Sequence, residues 1–162
     1  VANLAYIETG GQGIDLIRPL WEKLKEHHRK HSKYFSHIYS DAGGFTFEKR
    51  KEALLEKSKF GMLRIDIVID VDTGGYIGYC ISTISKDMEG EIDSIFIDDK
   101  YRSSGIGSSL MDRAIEWMDS YKVKSKKISV AAGNEDVLPF YIKHGFYSRY
   151  IILEHKKIDK RL

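Results

Sequence analysis

The chain has 162 residues, enough for one domain with a sizeable core. Its 26 basic and 24 acidic residues leave a net charge of +2, which gives no argument for a nucleic-acid or polybasic membrane partner. No apolar run approaches a membrane span, residues 1–4 lack the pattern of a signal peptide, and Cys80 is the lone cysteine, so no internal disulfide forms and a reducing, cytoplasmic setting is expected.

Residues 4–8 form a short candidate strand closed by Thr9-Gly10-Gly11. From Ile14 the period changes. Ile17, Leu20, Trp21, Leu24, His28 and His31 recur at three- and four-residue steps, predicting an amphipathic helix to about residue 33 with Pro19 in its first turn. Asp41-Ala42-Gly43-Gly44 is a breaker. Residues 47–57 read as a second, charged helix with Leu54 and Leu55 inward. Residues 62–70 alternate Leu63, Ile65, Ile67 and Ile69 against Arg64, Asp66 and Asp70, the pattern of a half-buried strand. Asp72-Thr73-Gly74-Gly75 is a hairpin signal, and residues 76–84 are the partner strand.

The segment from Glu91 to Leu110 is the most informative. Residues 92–97 are β-rich and apolar, Asp98-Asp99-Lys100 ends the strand, and Arg102-Ser103-Ser104-Gly105-Ile106-Gly107 opens onto an amphipathic helix carrying Leu110, Ala114 and Met118. A strand feeding a glycine-containing turn at a helix N-terminus makes an anion site, because the first helical turn has free N–H groups and a positive dipole end. The loop is not a Walker A, since no Lys follows Gly107, and Leu110 occupies the third glycine position of a dinucleotide fingerprint. Residues 127–131 are a short strand. Asn134-Glu135-Asp136 can cap a helix carrying Val137, Leu138, Phe140, Tyr141 and Ile142, which Gly145 ends, and residues 147–156 read as a final strand. The strand–helix–strand run from 92 to 131 implies parallel pairing there, so the sheet is mixed.

Two separated segments resemble the GNAT (Gcn5-related N-acetyltransferase) superfamily. Arg102-Ser103-Ser104-Gly105-Ile106-Gly107 matches its Arg/Gln-x-x-Gly-x-Gly/Ala pyrophosphate loop, and residues 134–146 match its Asn-x-x-Ala-x-x-Phe-Tyr-x-x-x-Gly-Phe segment, with Asn134 lying 32 residues after Arg102. Ser103 stands where the family often has Gly, Val137 replaces Ala, and Pro139 falls within the following helix. The resemblance implies an α/β (α+β) fold: a mixed, strongly bent, mostly antiparallel sheet of six to seven strands with flanking helices, as a single domain over 1–162. It implies acetyl-CoA as co-substrate, no metal, and transfer of acetyl to a primary amine by direct attack in a ternary complex.

On that resemblance, Arg102, Ser103, Ser104, Gly105, Ile106, Gly107 and Ser108 hold the pyrophosphate. Backbone at Phe96 and Ile97, with Asn134, meets the pantetheine arm. Tyr141 is the acid for the leaving thiolate. Glu91 and Asp93 are the candidate bases; two apart on one strand, they share a face. Against these roles stand plainer readings: a solvated strand-end pair for Glu91 and Asp93, and a packed aromatic for Tyr141. His27, His28 and His31 read as a polar helix face rather than a zinc site, since the zinc-protease pattern needs Glu where His28 stands. Cys80 reads as a buried small residue. Tyr34, Phe35, Tyr39, Phe45 and Phe47 are either local packing or an aromatic acceptor pocket. The acceptor is a small-molecule amine, with a protein N-terminus or lysine, or a catalytically weak acyl-CoA sensor, as the other readings. Monomer and homodimer both remain open.

Overall fold

The computed structural model describes residues 2–157. Its order is β1 (Leu4–Thr9), α1 (Arg18–His31), α2 (Phe47–Lys57), β2 (Met62–Asp70), β3 (Gly75–Ile84), β4 (Glu89–Ile97), α3 (Ile106–Ser120), β5 (Ser125–Ile128) and α4 (Leu138–Lys143), with short 3-10 turns between. The strands lie in one sheet in the order β1-β2-β3-β4-β5. The first four are antiparallel neighbours, and α3 crosses over to place β5 parallel to β4. The mixed sheet with flanking helices is therefore present, with five strands among the described residues rather than six to seven.

The two helical layers cover opposite faces. Ile17, Leu20 and Trp21 of the first layer and Phe47 and Leu54 of α2 pack on Ile65, Ile67, Tyr79 and Ile81. Leu110, Met111, Ala114 and Met118 of α3 pack on Val68, Ile77, Cys80 and Ile92. Coverage of both faces explains why β2 is not half-buried. Asp66, read as an outward residue, is 0% exposed under α3. It survives there because Arg64 reaches it with two N–H groups at 2.9 and 3.0 Å and Arg113 with a third at 3.0 Å. A lone carboxylate at that depth would be neutralised instead.

Other expectations shift for local reasons. The helix expected from residue 14 begins at Arg18, because Gly11–Ile17 is a tighter 3-10 turn and Pro19 sits in the first helical turn, where its missing N–H costs nothing. Leu54 is buried but Leu55 is 38% exposed, since two adjacent helical positions lie about 100° apart. The strand expected over 127–131 is β5, earlier and shorter. Pro139 likewise falls in the first turn of α4 and leaves it unkinked, while Asn134 caps no helix with its side chain.

The final strand expected over 147–156 does not form. The segment has no regular secondary structure, and Tyr147, Tyr150, Ile151, Ile152 and Leu153 are 72–91% exposed. Strand propensity without a neighbouring ladder yields no strand. Because these side chains are largely exposed and join neither core cluster among the described residues, Ile151→Lys with Leu153→Lys should change the unfolding free energy by at most about 1 kcal/mol, about 0.5 kcal/mol for each. A urea melt checks this, and a clearly larger loss would show that the segment has a packing partner in solution.

Candidate active site

The site is built where β4 and β5 part. Their parallel pairing ends at Ile92 with Ile128, so β4 from Asp93 to Ile97 has no neighbouring strand on that side among the described residues. The chain then turns through Asp99–Tyr101 and enters α3 at Gly105, which takes φ +84° as the N-cap. The first helical bond runs from Ser109 N–H to Gly105 O at 3.0 Å, which leaves the N–H groups of Ile106, Gly107 and Ser108 without helical acceptors. The first turn carries no acidic side chain to offset the dipole. A Cβ built on Gly105 meets nothing within 4 Å, whereas one on Gly107 meets Phe140 at 3.2 Å and Ile97 at 3.5 Å. Gly105 thus borders open space and Gly107 borders the wall formed by α4.

The flanking side chains are less free than the motif suggests. Arg102 donates from Nε to Ile97 O at 3.0 Å, pairs with Asp99 at 2.9 Å, and lies over the ring of Phe96. It braces the strand end on which Phe96 and Ile97 sit. Ser104 bonds back to Tyr101 O, and Ser108 pairs with His144 Nε2 at 3.1 Å. Ser103 has φ +62°, so the serine occupies the left-handed region that glycine would enter without strain. Relief of roughly 1–2 kcal/mol of left-handed strain, less about 0.5–1 kcal/mol for glycine's extra chain entropy, predicts that Ser103→Gly stabilises by up to about 1.5 kcal/mol. Calorimetric melts would show a higher Tm; a lower one would mean that the Ser103 side chain contributes a contact worth more than the strain.

Glu91 and Asp93 do face the same way, and both are bonded by Lys57 of α2. Asp93 also accepts from Thr83 Oγ1 at 2.6 Å. The β3–β4 register skips at this point: Ile81 pairs with Ser94 and Ser82 with Ile92, so Asp93 is bulged out of the ladder. Its freed carbonyl is taken by Arg50 Nη2 at 2.9 Å. Burial pushes the Asp93 carboxyl above its ordinary range, and the bonds from Lys57 and Thr83 only partly offset this. Lys57, Thr83 and Arg50 carry no local motif. Lys57 and Arg50 come from α2, 36 and 43 residues away, where only the cation pattern hints at them, and Thr83 comes from the neighbouring strand β3.

Across the fork, Tyr141 projects from α4 and is 8% exposed. Burial raises its pKa above the ordinary phenol value, with Cys80 a minor cause, and no described residue hydrogen-bonds its hydroxyl. Cys80 is fully buried, which pushes its thiol up to about 12 and makes it a packing residue. Asn134 Oδ1 pairs with His27 Nε2 at 3.1 Å, tying the loop after β5 to α1 and leaving the amide NH2 as the donor still available. His27 stacks on His31 at 4.1 Å between centroids, and His28 stacks on Tyr39 at 5.2 Å.

A cavity of about 360 Å³ joins these parts. Its floor is the fork, from Ile92–Ile95 and Ile128–Ala131; its far end reaches Tyr141 and Asn134; its near wall comes from α1, Tyr39, Phe45 and Arg50. Asp93 lines it, but Glu91 does not. The Gly105 loop lies outside it, at the end of β4. The structure therefore brings Asp93, Asn134 and Tyr141 to one cavity and strings Phe96 to Ser108 along a path leading away from it.

Known proteins bear on this arrangement. The sequence model of the acetyltransferase (GNAT) family matches residues 21–146. An uncharacterized N-acetyltransferase of Methanocaldococcus jannaschii is 30% identical over 82 residues, covering 51% of this chain and 36% of that protein, so the match spans little more than a third of the relative's length. The BH1408 protein of Bacillus halodurans superposes with a TM-score of 0.67 at 14% identity, over 94% of this chain and 99% of its own. Aminoglycoside N-acetyltransferase AAC(6')-Iy in complex with CoA superposes with a TM-score of 0.65 at 14% identity, over 97% and 96%. At such identities the structural likeness concerns the fold alone. The family match extends from the α1 wall of the cavity, through the glycine loop, to the last residue of the Tyr141 segment: the chain belongs to the acetyltransferase (GNAT) family.

Proposed function

We propose that the protein is an acetyl-CoA-dependent N-acetyltransferase, one domain that moves an acetyl group to a primary amine of a small molecule by direct attack in a ternary complex. The observation that carries this reading is the cavity. It is walled by Asp93 on one side and Tyr141 on the other, and it opens on the β4–β5 fork. The free N–H groups at the start of α3 and the open space beside Gly105 fit a pyrophosphate, with Arg102, Ser103, Ser104, Ile106, Gly107 and Ser108 completing its cradle. The outer edge of β4 near Phe96 and Ile97, where Arg102 holds Ile97 O, and the amide of Asn134 fit the amide-rich pantetheine arm.

The chemistry then divides among residues of this chain. The amine must lose a proton before it attacks. Asp93 takes that proton directly or through water, with its raised pKa suiting it better than an ordinary carboxylate; Glu91, the other candidate base, shares Lys57 with it and its charge adds to the upward shift. A backbone N–H near Ile97 steadies the carbonyl oxygen as the carbon–nitrogen bond forms. As the carbon–sulfur bond breaks, Tyr141 hydrogen-bonds and then protonates the departing thiolate. A cavity of this size suits a small acceptor better than a protein side chain presented from a folded surface.

Free thiol released from acetyl-CoA across a panel of small amines is the test. Amine-dependent release supports the proposal. CoA binding with no turnover of any amine would favour an acyl-CoA sensor, and label passing from acetyl-CoA into protein rather than small molecules would favour a protein acetyltransferase.

A further inference from the structure

The charge of the cavity narrows the acceptor further, on the premise that the protein transfers acetyl groups. Among the described residues lining it, Asp93 is the only carboxylate, and Lys57 and Thr83 already engage it. Two cations line the same wall, Lys25 and Arg50. Lys25 is paired with Asp41. Arg50 has no carboxylate partner among the described residues; one of its five N–H groups donates to Asp93 O at 2.9 Å, and the rest are uncommitted. His28, on the same wall, adds no charge near neutrality, because burial and then its neighbours His27 and His31 lower its pKa to about 4. The remaining wall is aromatic. Trp21 and Phe45 are stacked at 5.2 Å, and Tyr39 stands edge-on to Phe45 at 5.1 Å.

A polycation entering this space would meet an uncompensated guanidinium and no free carboxylate. A molecule carrying one amine, one carboxylate and an apolar or aromatic body meets a partner for each part. Guanidinium suits a carboxylate because its planar N–H groups form paired, charge-assisted bonds. Arg50 also lies directly beside Asp93, so a carboxylate on Arg50 brings an amine one carbon away toward the proposed base. We propose that the acceptor is an amine bearing a carboxylate on an aromatic or apolar body, of the kind an aromatic α-amino acid represents. Arg50 is its specificity-determining residue, and polycationic aminoglycosides are excluded.

The test uses a matched pair that differs only in the carboxylate, L-phenylalanine and phenethylamine, with kanamycin as the polycation. Thiol release should give L-phenylalanine at least about a tenfold higher kcat/KM than phenethylamine, the worth of one charge-assisted contact, and no turnover of kanamycin. Arg50→Gln should collapse that ratio by raising KM for the acid, and Arg50→Lys should restore part of it. If Arg50 served only to hold the bulge at Asp93, both amines would suffer alike and the ratio would stand, which overturns the proposal. So would equal turnover of the pair, or turnover of kanamycin. Binding separates this inference from the transfer reading. Fluorescence of CoA-loaded Trp117→Phe protein, in which Trp21 is the remaining tryptophan, is titrated with N-acetyl-L-phenylalanine and with N-acetylphenethylamine. Preference for the acid, lost in Arg50→Gln, would uphold the anionic site even if no amine were acetylated, an outcome that would count against acetyl transfer alone. Equal binding of the two, or none, would overturn it.

Discussion

Tyr141→Phe lowers turnover by about ten- to a thousandfold and leaves acetyl-CoA affinity close to that of the unaltered protein. The size follows from what the hydroxyl does. Burial raises the phenol above its usual value of about 10, so it keeps its proton across the whole working range. It is therefore a weaker acid than free phenol, and its service to the thiolate is a hydrogen bond that strengthens as charge builds, followed by proton transfer. That interaction exists in the transition state and hardly at all with bound thioester, so its loss falls on kcat. The ring remains, and no described residue bonds the hydroxyl, so the fold loses little. The pH profile adds a second reading. Tyr141 produces no limb below about pH 10, so a rise in rate between acid and neutral pH does not report it. Stopped-assay thiol release and a CoA titration decide the matter. Unchanged turnover would remove the acid role. Equal losses of rate and affinity would make Tyr141 a packing residue.

The parts of this site that the sequence discloses are those whose signal is local. The period of residues 47–57 and the alternation of 62–70 place α2 and β2 at their observed bounds, and the strand–glycine–helix order places the start of α3 just after β4. Glu91 and Asp93 share a face because strand geometry has a period of two. What a local signal cannot carry is the identity of a distant partner. Lys57 reaches Asp93 from 36 residues away, and Arg50 caps a carbonyl that only the bulge frees. Neither could be assigned from composition, because any of several α2 cations has the same pattern. Asp66 shows the opposite failure. Its alternation with Ile65 and Ile67 points it correctly to the other face, but that face is roofed by α3, and the covering Arg113 lies 47 residues on. Residues 147–156 carry strand propensity in full and still form no strand. A ladder needs a second chain segment, and nothing in the propensity of one segment supplies it. The left-handed Ser103 was legible only as a place where the family often has glycine. The residue type itself does not reveal φ.

Gly105→Glu removes measurable acetyl-CoA binding at concentrations that saturate the unaltered protein. Two effects combine at this position. Gly105 holds φ +84°, so any side chain there adds left-handed strain of about 1–2 kcal/mol. Yet its Cβ direction meets nothing within 4 Å, so strain rather than collision limits the fold, and the substituted chain can still form. The second effect is electrostatic. A carboxylate would stand at the N-terminus of α3 in the space fitted to a pyrophosphate; like charges about 4 Å apart cost about 4 kcal/mol at the effective dielectric of a protein surface, nearly three decades in affinity. Gly105→Ala separates the two terms. It carries the strain without the charge, so its melting temperature should fall about as far as that of the glutamate variant while its CoA affinity falls much less. Gly107→Ala is a different perturbation, since its Cβ would press on Phe140 at 3.2 Å and shift the α4 wall rather than the phosphate cradle. Isothermal titration with CoA, beside thermal melts of all three variants, reads these outcomes apart. Parental affinity in a folded Gly105→Glu would place the pyrophosphate elsewhere. Equal affinity losses in the alanine and glutamate variants would mean that loop shape governs binding, and that the helix N-terminus contributes no charge recognition of its own.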